Sequence, residues 1–242
     1  MNVRAAKAYE AVAGRLRNQI LGGELSQGMR LPNETLLAGE FGVSRATVRE
    51  ALRLLAAQNL IRTAKGAGGG SYVTVPSAVH ISESLRSSID LLALAEDVTL
   101  EELLEARELL EVPAARLAAR RRSAEDLERM RRAIPPEPAT LAAQEQFAHN
   151  KDFHSFVIDA SRNTLLVIAA QPVFSVLQTH LARSRLGRRF HDAVNEHHRA
   201  IAAAIEAGSA RAAERAMRSH LQFLRPFYEK AWRYAQTARE RG

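Results

Sequence analysis

The stretch NETLLAGEFGVSRATVREALR, residues 33–53, decides how the rest of the chain is read. Asn33 is a good N-cap, because its side chain can accept a hydrogen bond from a first-turn N–H that has no partner inside the helix, and a short helix from Glu34 to Phe41 follows from it. Gly42 ends that helix at the position that calls for a left-handed backbone. Val43 then buries, and Ser44 caps a second helix whose core face carries Val48, Leu52 and Leu55. Two short helices joined by a tight turn, with basic side chains at the start of the second, have a shape suited to the major groove of DNA.

The flanking segments extend the motif. From Lys7 to Leu21 the apolar residues Val12, Leu16 and Ile20 recur every fourth position, the stripe of an amphipathic helix that Gly22-Gly23 stops. Gly28 to Pro32 reads as a turn. Asn59 can close the third helix in the left-handed conformation, after which the period changes. Leu60–Thr63 and Ser71–Val75 read as two strands joined by the glycine-rich turn AKGAGGG, with Lys65 near its tip. Three helices and a hairpin make a winged helix-turn-helix. The first turn of its second motif helix offers Arg45, Ala46, Thr47 and Arg49, two guanidiniums for guanine edges or phosphates and a methyl with a hydroxyl for a base or the backbone. Lys65 on the wing can reach phosphate or the minor groove.

Charge supports this reading. Residues 1–75 hold 10 Lys and Arg against 5 Asp and Glu, whereas the remainder is nearly balanced at 24 against 22. The excess that would attract a polyanion is concentrated in the smaller part. There is no cysteine, which excludes disulfides and thiolate metal sites. The opening residues lack an apolar leader core and the run Leu165–Ala170 is far too short to span a bilayer, so the expectation is a cytoplasmic protein with no membrane partner.

The segment GRLRNQILGGELSQGMRLPNETLLAGEFGVSRATVREALRLLAAQNLIRTAKGAGGGSYV resembles the DNA-binding domain of the GntR family of bacterial transcriptional repressors, most closely in GVSRATVREALRLL. The resemblance implies that Arg45, Thr47 and Arg49 read or clamp an operator, assisted by Ser44 and the Lys65-Gly66 wing tip. Family members commonly carry Arg after the Glu of the LP-x-E motif. This chain has Thr35 there, so its operator preference is expected to differ.

Pro76 marks a boundary between a DNA-binding domain, residues 1–76, and a helical domain, residues 77–242. Beyond it the pattern is helical throughout. One helix covers Ile81–Leu94, and Thr99 with Glu102 forms a capping box opening a long helix to Arg121. Ser123 with Asp126 opens another, ended by Pro135-Pro136. Leu141–Ala160, a helix after Asn163 that should kink or restart at Pro172, Ala193–Ala207 and Ala210–Ala238 complete an antiparallel bundle of six or seven helices.

Within this bundle several polar residues occupy apolar stripes. Asn150 and His154 share a face with Phe147 and Val157, His198 lies on the stripe of Ile201 and Ile205, and His220 lies on that of Ala213, Met217 and Leu224. His198 precedes the turn at Gly208 by ten residues and His220 follows it by twelve. In an antiparallel hairpin both then sit at similar depth, roughly 15–18 Å from the turn. Inward imidazoles at one level point to a shared divalent transition metal. His149 and His197 fall on other faces, though adjacency keeps His197 as a rival to His198, and Asp152 faces away from Asn150. Arg107 also sits in an apolar stripe. Either Glu111, one turn on, neutralises it, or it faces a cavity and awaits an anionic ligand.

LLEARELLEVPAARLAAR, the stretch around NKDFHSFVIDASRN and EHHRAIAAAIEAGSARAAERAMRSHL resemble the FCD effector domain of the FadR-type branch of GntR regulators, over residues 80–235. The resemblance implies metal ligands at Asn150, His154, His198 and His220, with zinc the first choice and nickel or manganese alternatives. It also implies a small carboxylate effector with Arg107 as its anion partner. Asn150 stands where the family has Asp, which keeps an oxygen donor and removes one negative charge. The resulting expectation is a homodimeric, ligand-responsive repressor on a palindromic operator. Two rivals are weighed against it. One keeps the DNA function but takes a long-chain acyl or acyl-CoA effector with little metal. The other is a three-His metalloenzyme, disfavoured because no inward carboxylate is expected near Asn150 to act as general base.

Overall fold

The computed structural model describes residues 3–240 apart from 67–68, 96, 137–140, 142 and 182–186. By internal contacts the chain forms two compact units, Met1–Ser77 and Ala78–Gly242.

The first unit contains α1 (Val3–Leu21), α2 (Glu34–Phe41), α3 (Arg45–Ala57), β1 (Ile61–Ala64) and β2 (Gly70–Val73). Each boundary in the motif has its chemical cause. The Asn33 side chain accepts from the Leu36 N–H, Gly42 adopts φ 63°, and the Ser44 hydroxyl accepts from the Thr47 N–H. Asn59 is left-handed at φ 56°. Val12, Leu16, Leu37, Val48, Leu52, Leu55, Ile61 and Val73 form the core, while Val43 is only partly buried at its edge. The strands pair antiparallel with Ile61 opposite Val73, so each is displaced from the span that its alternation predicted. The segment before Pro32 is more than a turn. Arg30 bridges to Tyr72, and the Leu31 N–H donates to the Ser71 carbonyl at 2.8 Å, so this segment lies along the free edge of β2. Burial of Leu31 explains it, because extended backbone lets that side chain reach the core.

The second unit contains α4 (Ala78–Leu94), α5 (Leu100–Arg121), α6 (Ala124–Arg132), α7 (Ala143–Ala160), α8 (Thr164–Leu181), α9 (Arg188–Glu206) and α10 (Ala210–Glu240). Both capping boxes form as the spacing requires, at Thr99/Glu102 and Ser123/Asp126. Helix α5 packs against α7, α8, α9 and α10, which places whatever it carries at the centre of the bundle. Of the two outcomes expected at Pro172, a restart does not occur, since α8 runs through it. Proline removes the N–H that would serve the carbonyl of Ile168. That carbonyl is instead approached by the Ser82 hydroxyl of α4 at 3.4 Å. No described helix is long and apolar enough to cross a membrane.

Candidate functional site

In the first unit, the exposed first turn of α3 carries Arg45, Ala46 and Arg49, with Thr47 half-buried beside them. The Ser44 and Thr47 hydroxyls are 2.8 Å apart and bonded to each other, so both are oriented by the cap. Arg49 does not hang free. Its Nε and Nη2 donate to the two carboxylate oxygens of Glu34 on α2 at 3.0 and 2.7 Å, and the guanidinium holds the Glu34 carboxyl below its ordinary range. A solvent-facing pair of this kind adds little stability, but it fixes where the fork points. Glu34 is therefore a residue of this surface that the sequence reading passed over, although the pair bridges two helices already placed side by side by the turn. Lys65 and Gly66 are exposed, and Gly66 takes φ 101° at the start of the wing turn, which Gly69 closes by donating to its carbonyl at 2.8 Å. Thr35 is exposed on the first turn of α2.

In the second unit the polar residues of four helices meet. One ring nitrogen from each of His154, His198 and His220 lies within 4.8 Å of the others, and all three rings are buried. His198 rather than His197 joins this group; the His197 ring stacks on Phe223 at 4.8 Å. Phe153 stacks on His198 at 4.0 Å and Phe174 on His154 at 4.7 Å, so aromatic faces wall the imidazoles. Nε2 of His154 and Nε2 of His220 are 3.1 Å apart. Two ring nitrogens this close satisfy each other through one proton, or both through a shared cation. Neither nitrogen of His198 has a hydrogen-bond partner, nor has Nδ1 of His220 or Oδ1 of Asn150, and every one of these atoms is shielded from solvent. Asn150 is half-buried one turn before His154, while Asp152 is exposed.

Arg107 resolves its two alternatives largely in favour of the ion pair. At 2% exposure its Nε donates to Glu111 at 2.6 Å and its Nη1 to the Tyr228 hydroxyl at 2.8 Å. Its Nη2 lies 3.5 Å from Nε2 of His154, so the one arm not held by a close partner is at the imidazole cluster. Glu111 spends its second oxygen on Nδ1 of His154 at 2.6 Å. No inward carboxylate was expected near Asn150 as a general base, yet Glu111, the partner offered for Arg107, also reaches the imidazole cluster. The carboxylate is there, but it is committed to a guanidinium on one side and an imidazole on the other. Burial alone would raise the Glu111 carboxyl; the Arg107 charge and the His154 ring outweigh it and hold the group at about 2. Burial pushes all three imidazoles down, with His198 and His220 well below 6.5, and neighbouring rings and Arg107 deepen the effect for those two. Neutral imidazoles with unshared lone pairs, one of them oriented by a carboxylate through its other nitrogen, are the donor set a divalent transition ion takes.

Residues 8–71 match the model of the bacterial regulatory proteins of the gntR family, and residues 102–223 match that of the FCD domain. A Bacillus subtilis protein named HTH-type transcriptional regulator LutR is 36% identical over 84% of this chain and 92% of its own length.

The chain belongs to the GntR family.

A Haemophilus influenzae relative named Uxu operon regulator is 31% identical over 89% of this chain and 80% of its own length. Among solved structures, a Streptococcus agalactiae GntR protein superposes with a TM-score of 0.59 at 26% identity, covering 90% of this chain and 99% of that one. This GntR chain is accordingly a DNA-binding transcriptional regulator with an FCD effector domain, and the matched families and relatives are regulators rather than enzymes. Two features at the centre of the FCD unit were not found from the sequence, the contact of Glu111 with His154 and the place of Tyr228. The bond from Glu111 to His154 joins residues 43 apart, beyond what periodicity relates. Tyr228 could have been found, because it extends the stripe of His220 and Leu224 by one more turn of α10.

Proposed function

We propose that the three imidazoles hold one divalent metal ion, zinc first and nickel or manganese as alternatives, with Asn150 as a fourth donor, and that a small carboxylate effector completes the site. The observation that carries this is the set of buried, unpartnered donor atoms on Asn150, His198 and His220 around a pair of ring nitrogens 3.1 Å apart. Buried polar atoms normally find partners, and a cluster that lacks them is accounted for by something it binds. When bound, the ion supplies a positive centre on which a carboxylate can rest. The chain's own residues do the remainder. Glu111 keeps the proton of His154 on Nδ1 and so turns the lone pair of Nε2 toward the cluster, and Arg107 offers Nη2 to an anion beside it. Replacing the family's Asp by Asn150 leaves the site one negative charge short, which makes an incoming carboxylate more useful in neutralising the ion.

The rest of the proposal concerns output. Two copies would place their α3 helices on a palindromic operator, with Arg45, Thr47, Arg49 and Ser44 at base edges and phosphates and Lys65-Gly66 at the flanking backbone. The effector would favour the arrangement that no longer fits both half-sites, and its leverage equals its preference for that state. Such a repressor works in the cytoplasm. The test is metal content together with an operator titration. About one zinc per chain is expected, lost in His154→Ala, and a carboxylate effector should weaken operator binding about 5–150-fold in the parent protein only. A protein that stays metal-free under stoichiometric zinc, or a His154→Ala variant with an undiminished response, would overturn the proposal.

A further inference from the structure

The wing turn of the first unit is braced from outside itself. Gly69 and Gly70 close it, and neither position has room for a side chain. A Cβ on Gly69 would stand 2.8 Å from the carbonyl oxygens of Ala64 and Gly66, and one on Gly70 would stand 2.7 Å from Nε of Arg30. Glycine loses more conformational freedom on ordering than any other residue, and it has no side chain with which to hold a turn together. The turn's own contribution is the backbone bond from the Gly69 N–H to the Gly66 carbonyl at 2.8 Å.

Arg30 supplies the brace. Its backbone is fixed on the far edge of β2, where the Val73 N–H donates to the Met29 carbonyl and the Leu31 N–H to the Ser71 carbonyl, each at 2.8 Å. Leu31 is buried in the core, so Arg30, its neighbour in extended backbone, takes the outer face and is exposed. From there the guanidinium reaches along the sheet edge toward the turn. Its Nη2 donates to the Gly69 carbonyl at 2.5 Å, and its Nε lies against Gly70. One side chain anchored on the ladder thus touches both residues through which the turn enters β2. On the other arm of the hairpin the ladder ends at the pair Ala64 and Gly70, so Lys65 is the first residue beyond it. Where Lys65 sits is set by the turn.

We infer that Arg30 is a positioning residue for DNA binding: by holding Gly69 and Gly70 it fixes the wing turn, and so delivers Lys65 to the DNA backbone already ordered. This rests on the reading of Lys65 as a backbone contact. A cation on an ordered turn binds without the cost of ordering it, whereas the same cation on a loose turn gives up part of its attraction to that cost. Arg30 is also a cation in its own right, so the rival role is direct contact with a phosphate. The two roles differ in whether the effect of Arg30 passes through Lys65.

The test is a double-mutant cycle on DNA binding by the full chain. The probe is a duplex selected by the parent protein from a random-sequence pool, titrated at several salt concentrations. Lys65→Ala should lower the salt slope by about one. Arg30→Met, which keeps the stem of the side chain and removes the donor, should weaken binding about 3–10-fold, and no more than Lys65→Ala does. In the Lys65→Ala background the same change should alter affinity by less than about twofold and leave the slope where it was. Both single variants should keep the parent's melting temperature, because each altered side chain is exposed. Losses that multiply, with the slope of the double variant about two below the parent, overturn the inference and make Arg30 a phosphate contact of its own. An Arg30→Met protein that binds as the parent does overturns it as well. A Lys65→Ala protein with the parent's slope removes the wing contact from the proposed function, and this inference with it, so the two failures are told apart. Arg30→Gln is carried through the same cycle, and a folded variant of either kind decides the matter.

Discussion

The two units place their charged groups in opposite environments. In residues 1–77 the side chains assigned to DNA, Arg45, Arg49 and Lys65, are exposed and rest on a core of aliphatic residues that makes no use of them. In residues 78–242 Arg107, Glu111, His154, His198 and His220 are each at most 2% exposed and lie inside the bundle. A group in water can be altered without disturbing the fold that presents it. A group in the interior is part of that fold, so sensing and stability are tied together there.

The largest effect expected from this contrast is at Glu111. Its loss in Glu111→Ala strands the Arg107 charge in the interior, at about 3–5 kcal/mol in a urea unfolding experiment. A cost below about 1 kcal/mol would break the contrast, since it would mean that the buried charge is accommodated as easily as an exposed one. Next is acid. His198 and His220 have folded values pushed well below 6.5 by burial first and by neighbouring charge second. Unfolded imidazoles protonate near 6.5, so in metal-stripped protein their stabilisation is complete above that pH and is lost as the pH falls toward the folded values. Stability in urea unfolding should therefore fall between pH 7 and 5.5. The first unit contains no histidine, so its own melting should show no such step over that interval. A loss of stability common to both units would assign the acid effect elsewhere.

On the other side of the contrast, Arg45→Ala should weaken operator binding about 10–100-fold with the melting temperature unchanged. Glu34→Gln, which frees the Arg49 fork, should weaken it by a smaller factor, and an equal loss of affinity for unrelated DNA would demote Arg49 from reader to clamp. The smallest effect belongs to Lys65→Ala, which should lower the salt dependence of binding by about one unit and affect all sequences alike.

Legibility divides along the same line. Caps and turns are local chemistry, which is why Asn33, Gly42, Ser44, Asn59 and both capping boxes of the bundle could be placed to the residue. Periodicity found His154, His198 and His220, and the count of residues on either side of Gly208 put two of them at one depth; their rings are 4.8 Å apart. Spacing could not decide whether Arg107 was paired, because a residue one turn away is a partner only if the interior leaves it no better one. Glu111 proved to serve Arg107 and His154 at once, and the second of those contacts depends on how α5 packs against α7. Strand ends were misplaced because pairing, here including the Arg30 segment on the far edge of β2, fixes them and alternation does not.

The passage of α8 through Pro172 has a mechanical consequence. A helix missing one rung is a jointed rod, softer in bending at the joint than on either side. On one side of this joint Phe174 lies against the His154 ring, and on the other the Ile168 carbonyl is touched by Ser82 of α4. Helix α4 starts at Ala78, the residue that follows the last one of the DNA-binding unit. Under the proposed function, a ring displaced by an effector would push on a lever whose pivot is built in, and the load would reach the helix nearest in sequence to the DNA-binding unit.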